Sequence, residues 1–470
     1  MTKVFLIVRV ALGCVWIGLI ASARAENGVR PPDIVIFITD DHSQLDASPY
    51  GSNNGIRTPN MQKLADSGLT FTRAYVASPS CAPSRAALLT GLMPARNGAE
   101  ANHSKPRADI KKWPAYLQEL GYEVVSFGKV AHYRSALDYG FDSIGNDIPA
   151  AVEFLRKRKR DGVKPLCLFV GTNRPHVPWP SKAPGFDPAK LVLPAGSIDT
   201  PATRDWRTRY AAAVSMADED LGLVLAAARE TLTEKSLFLY SADHGAQWPF
   251  AKWNLYEAGV SVPMIVSWPG TIKPGTRSDA MVQWIDLLPT MVEAAGGAAP
   301  GGIDGKSFLP VLLGKADGHR ERIFTTHAND KRMNIYPARA VRDSQWKYIR
   351  NLHPEFAFTT HIDLLGGNLG QRGFFATWEE AAKTDPKAAA ILQRYHARPA
   401  EELYDLAVDP DEQNNLAADP QHAAKLASLR VELDVWMKDQ GDTQKMPAAP
   451  RLLSDPASFG PGGAIGGEGK

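Results

Sequence analysis

Residues 33–41 have the sequence DIVIFITDD, a run of mainly β-branched side chains that ends in two aspartates. Such a run predicts a strand buried on both faces, as in a parallel sheet. Similar apolar runs follow at 123–127, 166–170, 236–240 and 264–266. Helical patterns lie between them, at 60–67, 86–89, 113–120, 210–229 and 285–295. This alternation predicts an α/β fold in which helices cover both faces of the sheet.

Polar side chains directly follow the ends of four predicted strands. These groups are Asp40-Asp41, Gly128-Lys129, residues 173–176 and Asp243-His244. In open sheets of this kind, ligands bind beyond the carboxyl ends of the strands. We therefore expect one pocket to collect all four groups.

The sequence pattern changes near residue 339. Short strand patterns at 340–342, 346–350 and 401–405 precede a helical pattern at 421–438. These predict a smaller antiparallel sheet-plus-helix subdomain over 339–450, after a larger α/β domain over 26–338. The glycine-rich segment 451–470 is expected to be a flexible tail.

The first 25 residues have the layout of a secretory signal peptide. A short basic start precedes an apolar stretch at 10–21, and small residues ahead of Glu26 suit cleavage. The alternative, an anchoring helix, needs about 20 apolar residues, and Arg9 and Arg24 enclose fewer. We expect a signal peptide over 1–25, export to the periplasm or beyond, and no stable membrane insertion.

Composition narrows the function classes. The 470 residues are 44% hydrophobic and 22% charged, which excludes a disordered or fibrous protein. The 53 Lys and Arg residues nearly balance the 51 Asp and Glu residues, giving a net charge of +2. This balance excludes a globally basic nucleic-acid-binding protein, so a local cluster must hold any anionic ligand.

Two cysteines remain once the signal peptide, which contains Cys14, is set aside. They are Cys81 and Cys167, the one pair available for a disulfide. Cys167 lies in an apolar run typical of a buried strand, where cysteine acts as a small hydrophobic residue. Cys81 lies in a polar stretch beside prolines, so it calls for a chemical explanation.

Residues 81–91 have the sequence CAPSRAALLTG, which resembles the sulfatase signature C-x-P-S-R-x-x-x-x-T-G at every defined position. The resemblance implies an alkaline-phosphatase-like fold, with a mixed, largely parallel sheet sandwiched by helices, and makes 26–338 the catalytic domain. It also implies that Cys81 is oxidised to formylglycine by a formylglycine-generating or anaerobic sulfatase-maturating enzyme. The hydrated aldehyde attacks sulfur with one hydroxyl and expels sulfate with the other. A helix start at this point also favours an anion.

The same resemblance assigns roles to the strand-end groups. The implied metal ligands are Asp40, Asp41, Cys81, Asp243 and His244. Adjacent acids at a strand end repel each other and suit a hard cation, although a solvated turn is the alternative. The family metal is usually Ca²⁺, with Mg²⁺ as second choice.

The remaining catalytic roles fall on basic side chains. Arg85, Lys129 and Lys252 would neutralise the sulfate, and His132 of the G-K-x-x-H motif would hold or deprotonate the formylglycine diol. His176 of R-P-H-x-P would be the leaving-group acid, and Asp243 would help to deprotonate the nucleophile. The implied substrate contacts are His103, Lys129, His176 and Lys252. For each histidine the alternative is a satisfied core residue, and for Lys252 a surface position.

Relatives within the family differ in substrate. Residues 336–342, 351–353 and 402–416 resemble the heparan N-sulfatase (sulfamidase) branch, whereas the G-K-x-x-H and R-P-H-x-P motifs look closer to iduronate-2-sulfatase. A single glycosylation sequon, starting at Asn102, favours bacterial export over a lysosomal enzyme. The expected substrate is a sulfated carbohydrate of glycosaminoglycan (heparan sulfate) or algal type, with S–O and S–N cleavage both open.

Two other functions stay open. A phosphohydrolase of the alkaline phosphatase superfamily would share the metal carboxylates but would carry Ser or Thr at position 81. An inactive homologue that only binds sulfated glycans would result if Cys81 were never oxidised.

Overall fold

In the computed structural model, the apolar run after Asp33 forms a strand in the interior of an eight-stranded sheet. The structure describes residues 30–51, 54–158, 164–366, 372–444 and 448–460. The predicted signal peptide lies outside these residues. Among the described residues, no helix is long and apolar enough to cross a membrane.

All five apolar runs form strands, and further strands lie between and after them. In chain order the strands are β1 (Ile34–Thr39), β2 (Leu69–Phe71), β3 (Ala74–Tyr75), β4 (Glu123–Gly128), β5 (Ser143–Gly145), β6 (Leu166–Gly171), β7 (Leu237–Ala242), β8 (Met264–Ser267), β9 (Thr276–Ser278), β10 (Val282–Gln283), β11 (Ile323–Asp330), β12 (Asn334–Arg342), β13 (Trp346–Asn351) and β14 (Glu401–Asp405).

The large sheet has the order β5-β4-β6-β1-β7-β8-β2-β9. Its strands run parallel except that β8 is antiparallel to both neighbours, β7 and β2. The register pairs Ile34 with Cys167 on one side and with Leu237 on the other. Parallel pairing brings the ends of β1, β4, β6 and β7 to the same edge of the sheet, as expected from the strand-end groups.

Helices connect the strands. They are α1 (Pro59–Asp66), α2 (Cys81–Thr90), α3 (Pro94–Asn97), α4 (Trp113–Glu119), α5 (Ile148–Lys157), α6 (Pro201–Thr231), α7 (Glu257–Val260), α8 (Leu287–Ala294), α9 (Leu309–Leu312), α10 (His361–Leu364), α11 (Arg372–Ala381), α12 (Pro386–His396) and α13 (Ala423–Gln440). Short 3₁₀ turns lie at 44–46, 48–50, 133–139, 284–286, 420–422 and 456–458.

Two hydrophobic clusters cover the two faces of the large sheet. Successive side chains of β1 alternate between them: Ile34 and Ile36 point into one cluster, and Val35 and Phe37 into the other. Helices α2, α4 and α8 contribute to the first cluster, whereas α1, α5 and the second half of α6 contribute to the second. The predicted α/β sandwich is therefore confirmed.

The smaller sheet is antiparallel, in the order β11-β12-β13-β14, and α13 packs its apolar side on it. The three predicted strands and the closing helix are present, but the sheet begins earlier than expected, at Ile323. The expected boundary between residues 338 and 339 falls inside β12 (Asn334–Arg342). The cause is that a strand with mixed polar and apolar residues carries no clear periodic signal before it pairs.

The end of the chain also differs in part from the expected tail over 451–470. Leu452 forms a β-bridge with Phe356, and a 3₁₀ turn follows at 456–458. These residues therefore make tertiary contacts. Residues 461–470 lie outside the described part of the chain.

Candidate active site

Cys81 is the first residue of α2, a helix in which every residue is buried. Its Sγ lies 3.2 Å from Nε2 of His244, 3.5 Å from Oδ1 of Asp40 and 3.8 Å from Nζ of Lys129. Burial, followed by the charge of Asp40, raises the pKa of this thiol well above its usual value. Cys81 and Cys167 are both free thiols, so no disulfide joins them.

The acidic cluster comes from two neighbouring strand ends. Asp40 and Asp41 follow β1, and Asp243 and His244 follow β7, which pairs with β1 through Thr39 and Ala242. All four cluster side chains are completely buried. Asp41 adopts a φ of 65°, and its backbone N–H donates to Oδ1 of Asp243 at 3.0 Å. This turn brings the carboxylates of Asp41 and Asp243 close together.

The donor set fits a divalent cation. Asp40, Cys81, Asp243 and His244 offer ligand atoms that all lie within 4.8 Å of one another, and so do Asp40, Asp41, Cys81 and His176. The buried Oδ1 of Asp41 has no hydrogen-bond partner among the described residues. An unsatisfied buried carboxylate oxygen beside two more carboxylates is a suitable ligand for a hard cation.

Cationic side chains offset much of this negative charge. Burial alone would raise the pKa of Asp40, but Lys129, His176 and Arg85 outweigh it and hold that pKa well below its usual value. Lys252 has the corresponding effect on Asp41, to which its Nζ donates at 2.8 Å. Both aspartates are therefore ionised at neutral pH, as metal ligands must be.

Arg85 is one turn along α2 from Cys81 and fully buried. Its Nε donates to Asp243 at 2.9 Å and its Nη2 to Asp40 at 3.2 Å. Its Nη1 donates to the backbone carbonyl groups of Lys129 and Val130. The guanidinium thus joins the ends of three strands, so it holds the carboxylates in place instead of facing a substrate.

Lys129 directly follows β4, where the chain passes close to the end of β6. Its Nζ pairs with Asp40, and its carbonyl oxygen lies 2.0 Å from the position of a Cβ on Gly171. A side chain at position 171 would displace this loop. Glycine therefore lets the ends of β4 and β6 approach closely enough to place Lys129 beside Cys81.

His176 faces the cluster from the loop after β6. Its Nε2 lies 3.9 Å from Oδ2 of Asp41, and its Nδ1 lies 2.6 Å from the carbonyl oxygen of Val177. The backbone N–H of Asp40 donates to the carbonyl oxygen of Arg174 at 3.0 Å, which ties the loop to the cluster. Burial lowers the pKa of His176 to about 4, although the Asp41 charge opposes this.

His132 and His103 form a relay beside the cluster. Nε2 of His132 lies 2.7 Å from Nδ1 of His103, whose Nε2 lies 3.0 Å from Oδ1 of Asp330. Asp330 also accepts hydrogen bonds from Asn102 and Trp253, each at 2.9 Å. His103, expected at the substrate, thus bonds to His132 and to a strand of the smaller sheet.

No sequence motif assigns Asp330, Asn102 or Trp253 to the site, and Asn102 is marked only as the start of a glycosylation sequon. Asn102 is 7% exposed, and its Oδ1 accepts the backbone N–H of Ala82, next to Cys81. Both ends of this amide are engaged in the fold, so the sequon is not presented at the surface. No spacing signal marks these residues, because they meet only through contacts between distant segments.

Fold and site together define an alkaline-phosphatase-like hydrolase with a buried cysteine at a candidate metal centre. The chain belongs to the sulfatase family: residues 32–298 match the family described as Sulfatase. Residues 244–362 match a second family, described as N-sulphoglucosamine sulphohydrolase, C-terminal. The predicted family, fold and class of enzyme, a sulfuric ester hydrolase, are confirmed.

Two relatives and one solved structure illustrate the similarity. An ulvan-active sulfatase of Formosa agariphila is 33% identical, over 87% of this chain and 81% of its own length. Human N-sulphoglucosamine sulphohydrolase is 28% identical, over 88% of this chain and 91% of its own length. A structure solved in complex with its substrate D-glucosamine-2-N,6-O-disulfate superposes with a TM-score of 0.66 at 20% identity, covering 88% of this chain and 99% of the other. At 20% identity, the similarity to this solved structure shows a shared fold and nothing more.

Proposed function

We propose that this protein removes sulfate from a sulfated carbohydrate, using formylglycine made from Cys81 as the nucleophile. One observation carries the proposal: Cys81 begins a buried helix and lies within 4 Å of a carboxylate, a histidine and a lysine. The substrates named for the relatives, ulvan and N-sulphoglucosamine, support a sulfated glycan. Glycosaminoglycan-type substrates, heparan sulfate included, and algal glycans are the two classes to test.

The metal ligands in this proposal are Asp40, Asp41, Asp243, His244 and the oxidised Cys81. Ca²⁺ is the proposed ion, with Mg²⁺ second, because three carboxylates suit a hard cation, although the nitrogen of His244 is a softer ligand. A cation bound there would polarise a sulfate oxygen and stabilise an ionised nucleophile. Removal of calcium should therefore abolish turnover.

The cationic side chains have two roles in this proposal, sulfate binding and positioning of the carboxylates. Lys129 and Lys252 bind the sulfate oxygens and stabilise the charge that develops there. Arg85 keeps Asp40 and Asp243 in position and balances their charge. Burial raises the pKa of Asp243, with Arg85 opposing the rise, which makes this carboxylate a stronger base for the attacking hydroxyl.

In this proposal, His176 and His132 transfer protons during catalysis. His176 protonates the departing sugar oxygen or nitrogen, and an anionic sulfate beside it would raise its pKa from the low value of the free site. His132, held by His103, binds the formylglycine hydroxyl and takes its proton when sulfate leaves. His103 is therefore a positioning residue in this proposal, with a substrate contact still to be tested.

The proposal includes maturation and export. A formylglycine-generating or anaerobic sulfatase-maturating enzyme acts on the signature at 81–91. The signal peptide at 1–25 directs the chain to the periplasm or outside a bacterial cell. Expression with and without residues 1–25, followed by fractionation, tests this route; equal export of both forms would contradict it.

The direct test is chemical. Mass spectrometry of the peptide containing Cys81 should show a lower mass than cysteine, whereas ordinary thiol oxidation adds oxygen and raises the mass. Cys81→Ser should lose multiple turnover on a panel of sulfated mono- and disaccharides that includes N-sulfoglucosamine. Full turnover by this variant would overturn the proposal. Unconverted Cys81 with retained glycan binding would favour an inactive binding protein instead.

A further inference from the structure

A cavity of about 560 Å³ opens beside the acidic cluster. It is lined by the loop after β6 and by one side of α6. His176 belongs to its wall and also lies 3.9 Å from Asp41. A group bound in this cavity would therefore be next to the sulfate that is being cleaved, on the side of the proposed leaving-group acid.

Two arginines give the cavity a positive lining. Arg174 is 43% exposed and pairs through Nη1 with Asp220 at 2.8 Å. Arg209 pairs with Asp205 at 2.6 Å, and its buried Nε has no hydrogen-bond partner among the described residues. The Arg209 side chain is 29% exposed, so an anionic group in the cavity would gain a charge-assisted hydrogen bond from its guanidinium.

Two tryptophans give the same cavity an aromatic lining. Trp179 and Trp206 meet edge-to-face, with ring centroids 5.9 Å apart, and Trp179 also stacks on Trp248 at 6.1 Å. The guanidinium of Arg209 lies 5.1 Å from the Trp206 ring. Rigid aromatic surfaces beside a few fixed polar groups are typical of a site that binds a flat-faced organic ligand.

We propose that this cavity binds the sugar next to the sulfated one, and that this neighbour carries an anionic substituent. The inference rests on the proposed function, because it takes the sulfated unit to lie at Cys81. The sugar ring would contact Trp206, and a carboxylate or a second sulfate would contact Arg209 and Arg174. The protein would then prefer an anionic oligosaccharide over a sulfated monosaccharide.

The test compares two variants with the wild type. Arg209→Gln removes the charge, and Trp206→Leu removes the ring but keeps an apolar side chain. Substrates are sulfated disaccharides whose second sugar carries a carboxylate, a sulfate or neither, with an aryl sulfate as a sugar-free reference. Arg209→Gln should lower kcat/KM for the anionic disaccharides about 10-fold relative to the neutral one. The carboxylate and sulfate arms identify the preferred anion.

Arg229→Gln is the matched control, since Arg229 lies on the same helix about 30 Å away and is exposed. It should leave all substrate ratios at the wild-type value. Trp206→Leu should lower kcat/KM for every disaccharide relative to the aryl sulfate. Unchanged ratios in both cavity variants would overturn the inference, provided that thermal melting shows both to be folded.

Calorimetric binding of the anionic disaccharides separates this inference from the proposed function. If the protein hydrolyses none of the sulfated compounds, the proposed function fails, but binding still reports on the cavity. Weaker binding by Arg209→Gln than by Arg229→Gln would support the cavity site. Equal binding by the two variants would refute it.

Discussion

At the scale of single residues, the site is an arrangement of buried charges that compensate one another. Asp40 meets Arg85 and Lys129, and Asp41 meets Lys252. Removing one partner of a buried ion pair leaves an uncompensated charge, which costs more than the pair contributes. Replacing Arg85, Lys129 or Lys252 is therefore expected to destabilise the site, independently of the role proposed for each in catalysis.

The unsatisfied oxygen of Asp41 leads to a prediction about metal binding. Calcium at about 100 times its Kd should stabilise the wild-type protein by about 2.7 kcal/mol, seen as a higher Tm. Asp41→Asn should reduce this shift strongly, since it removes a ligand charge. Asp279→Asn, at an exposed position, is the control and should keep the full shift. An equal shift in Asp41→Asn would place the metal elsewhere.

Asp330 leads to a prediction about positioning. Burial would raise its pKa, but hydrogen bonds and charge from His103 and His361 lower it, so the carboxylate is ionised and only accepts. His103 then donates to Asp330 through Nε2; when its imidazole is neutral, Nδ1 accepts from His132, which leaves Nδ1 of His132 with a lone pair. Asp330→Asn could reverse the direction of these hydrogen bonds, because an amide can also donate, and should lower kcat about 10- to 100-fold.

Steady-state kinetics at saturating substrate measure this effect. Asp304→Asn is a suitable control, because Asp304 is a partly buried carboxylate paired with Arg96, outside the relay. It should leave kcat near the wild-type value. A kcat for Asp330→Asn equal to that of the control would show that the relay does not orient His132.

At the scale of elements, helix caps explain boundaries that hydrophobic periodicity missed. The helix predicted over 210–229 extends to Pro201–Thr231, because Thr200 accepts the N–H of Thr203 and Pro201 suits the first turn. The short helix α10 begins at a capping box between Thr360 and Asp363. Helices α10 to α12 were not predicted, because short amphipathic segments carry weak signals.

The capping box of α10 leads to a prediction about pH. Burial raises the pKa of Asp363 to about 7, against hydrogen bonds from Thr360 and Tyr395. Between about pH 4 and 7 the folded state binds the extra proton, so stability falls as the pH rises through this window. Asp363→Asn removes the titration. Its free energy of unfolding relative to the wild type should rise by about 1.4 kcal/mol for each pH unit there.

Urea denaturation at several pH values between 4 and 8 measures the difference. Below pH 4 and above pH 7 the curves for the two proteins should run parallel. A constant difference across the whole range would show that Asp363 titrates at its ordinary pKa in the folded protein.

At the scale of the whole molecule, the smaller sheet is part of the site. Strand β11 ends at Asp330, which contacts His103, Asn102 and Trp253, all outside the smaller sheet. Helix α13 packs on this sheet through its apolar residues, and Asp442, two residues beyond the helix, forms a buried ion pair with Arg339 of β12. The packing of α13 is therefore expected to influence the relay beside Cys81.

The buried pair between Arg339 and Asp442 gives a matched comparison. Nη2 of Arg339 donates to Asp442 at 2.9 Å, and both side chains are almost fully buried. Asp442→Ala should lower the free energy of unfolding by about 3–5 kcal/mol. Asp434→Ala, on α13, removes the exposed partner of Arg350 and should cost at most about 1 kcal/mol. Similar losses in denaturant titrations of both variants would contradict the role given to the buried pair.

Much of the site could be predicted before any coordinates. The five apolar runs became strands, and Asp40, Asp41, Asp243 and His244 met because parallel strands end at one edge of the sheet. Lys129, His176 and Lys252 also lie at the cluster, as expected from their motifs. Arg85 lies there too, but it is fully occupied by carboxylates and backbone carbonyl groups.

Local sequence determined the strands, the strand-end carboxylates and the family signature around Cys81, because each depends on neighbouring residues or a short spacing. Only the tertiary structure decided that His103 contacts His132, that Asp330 contacts His103 and that Arg209 and Trp206 line a cavity beside His176. These contacts join residues far apart along the chain. Their geometry depends on how helices and sheets pack, which no short pattern encodes.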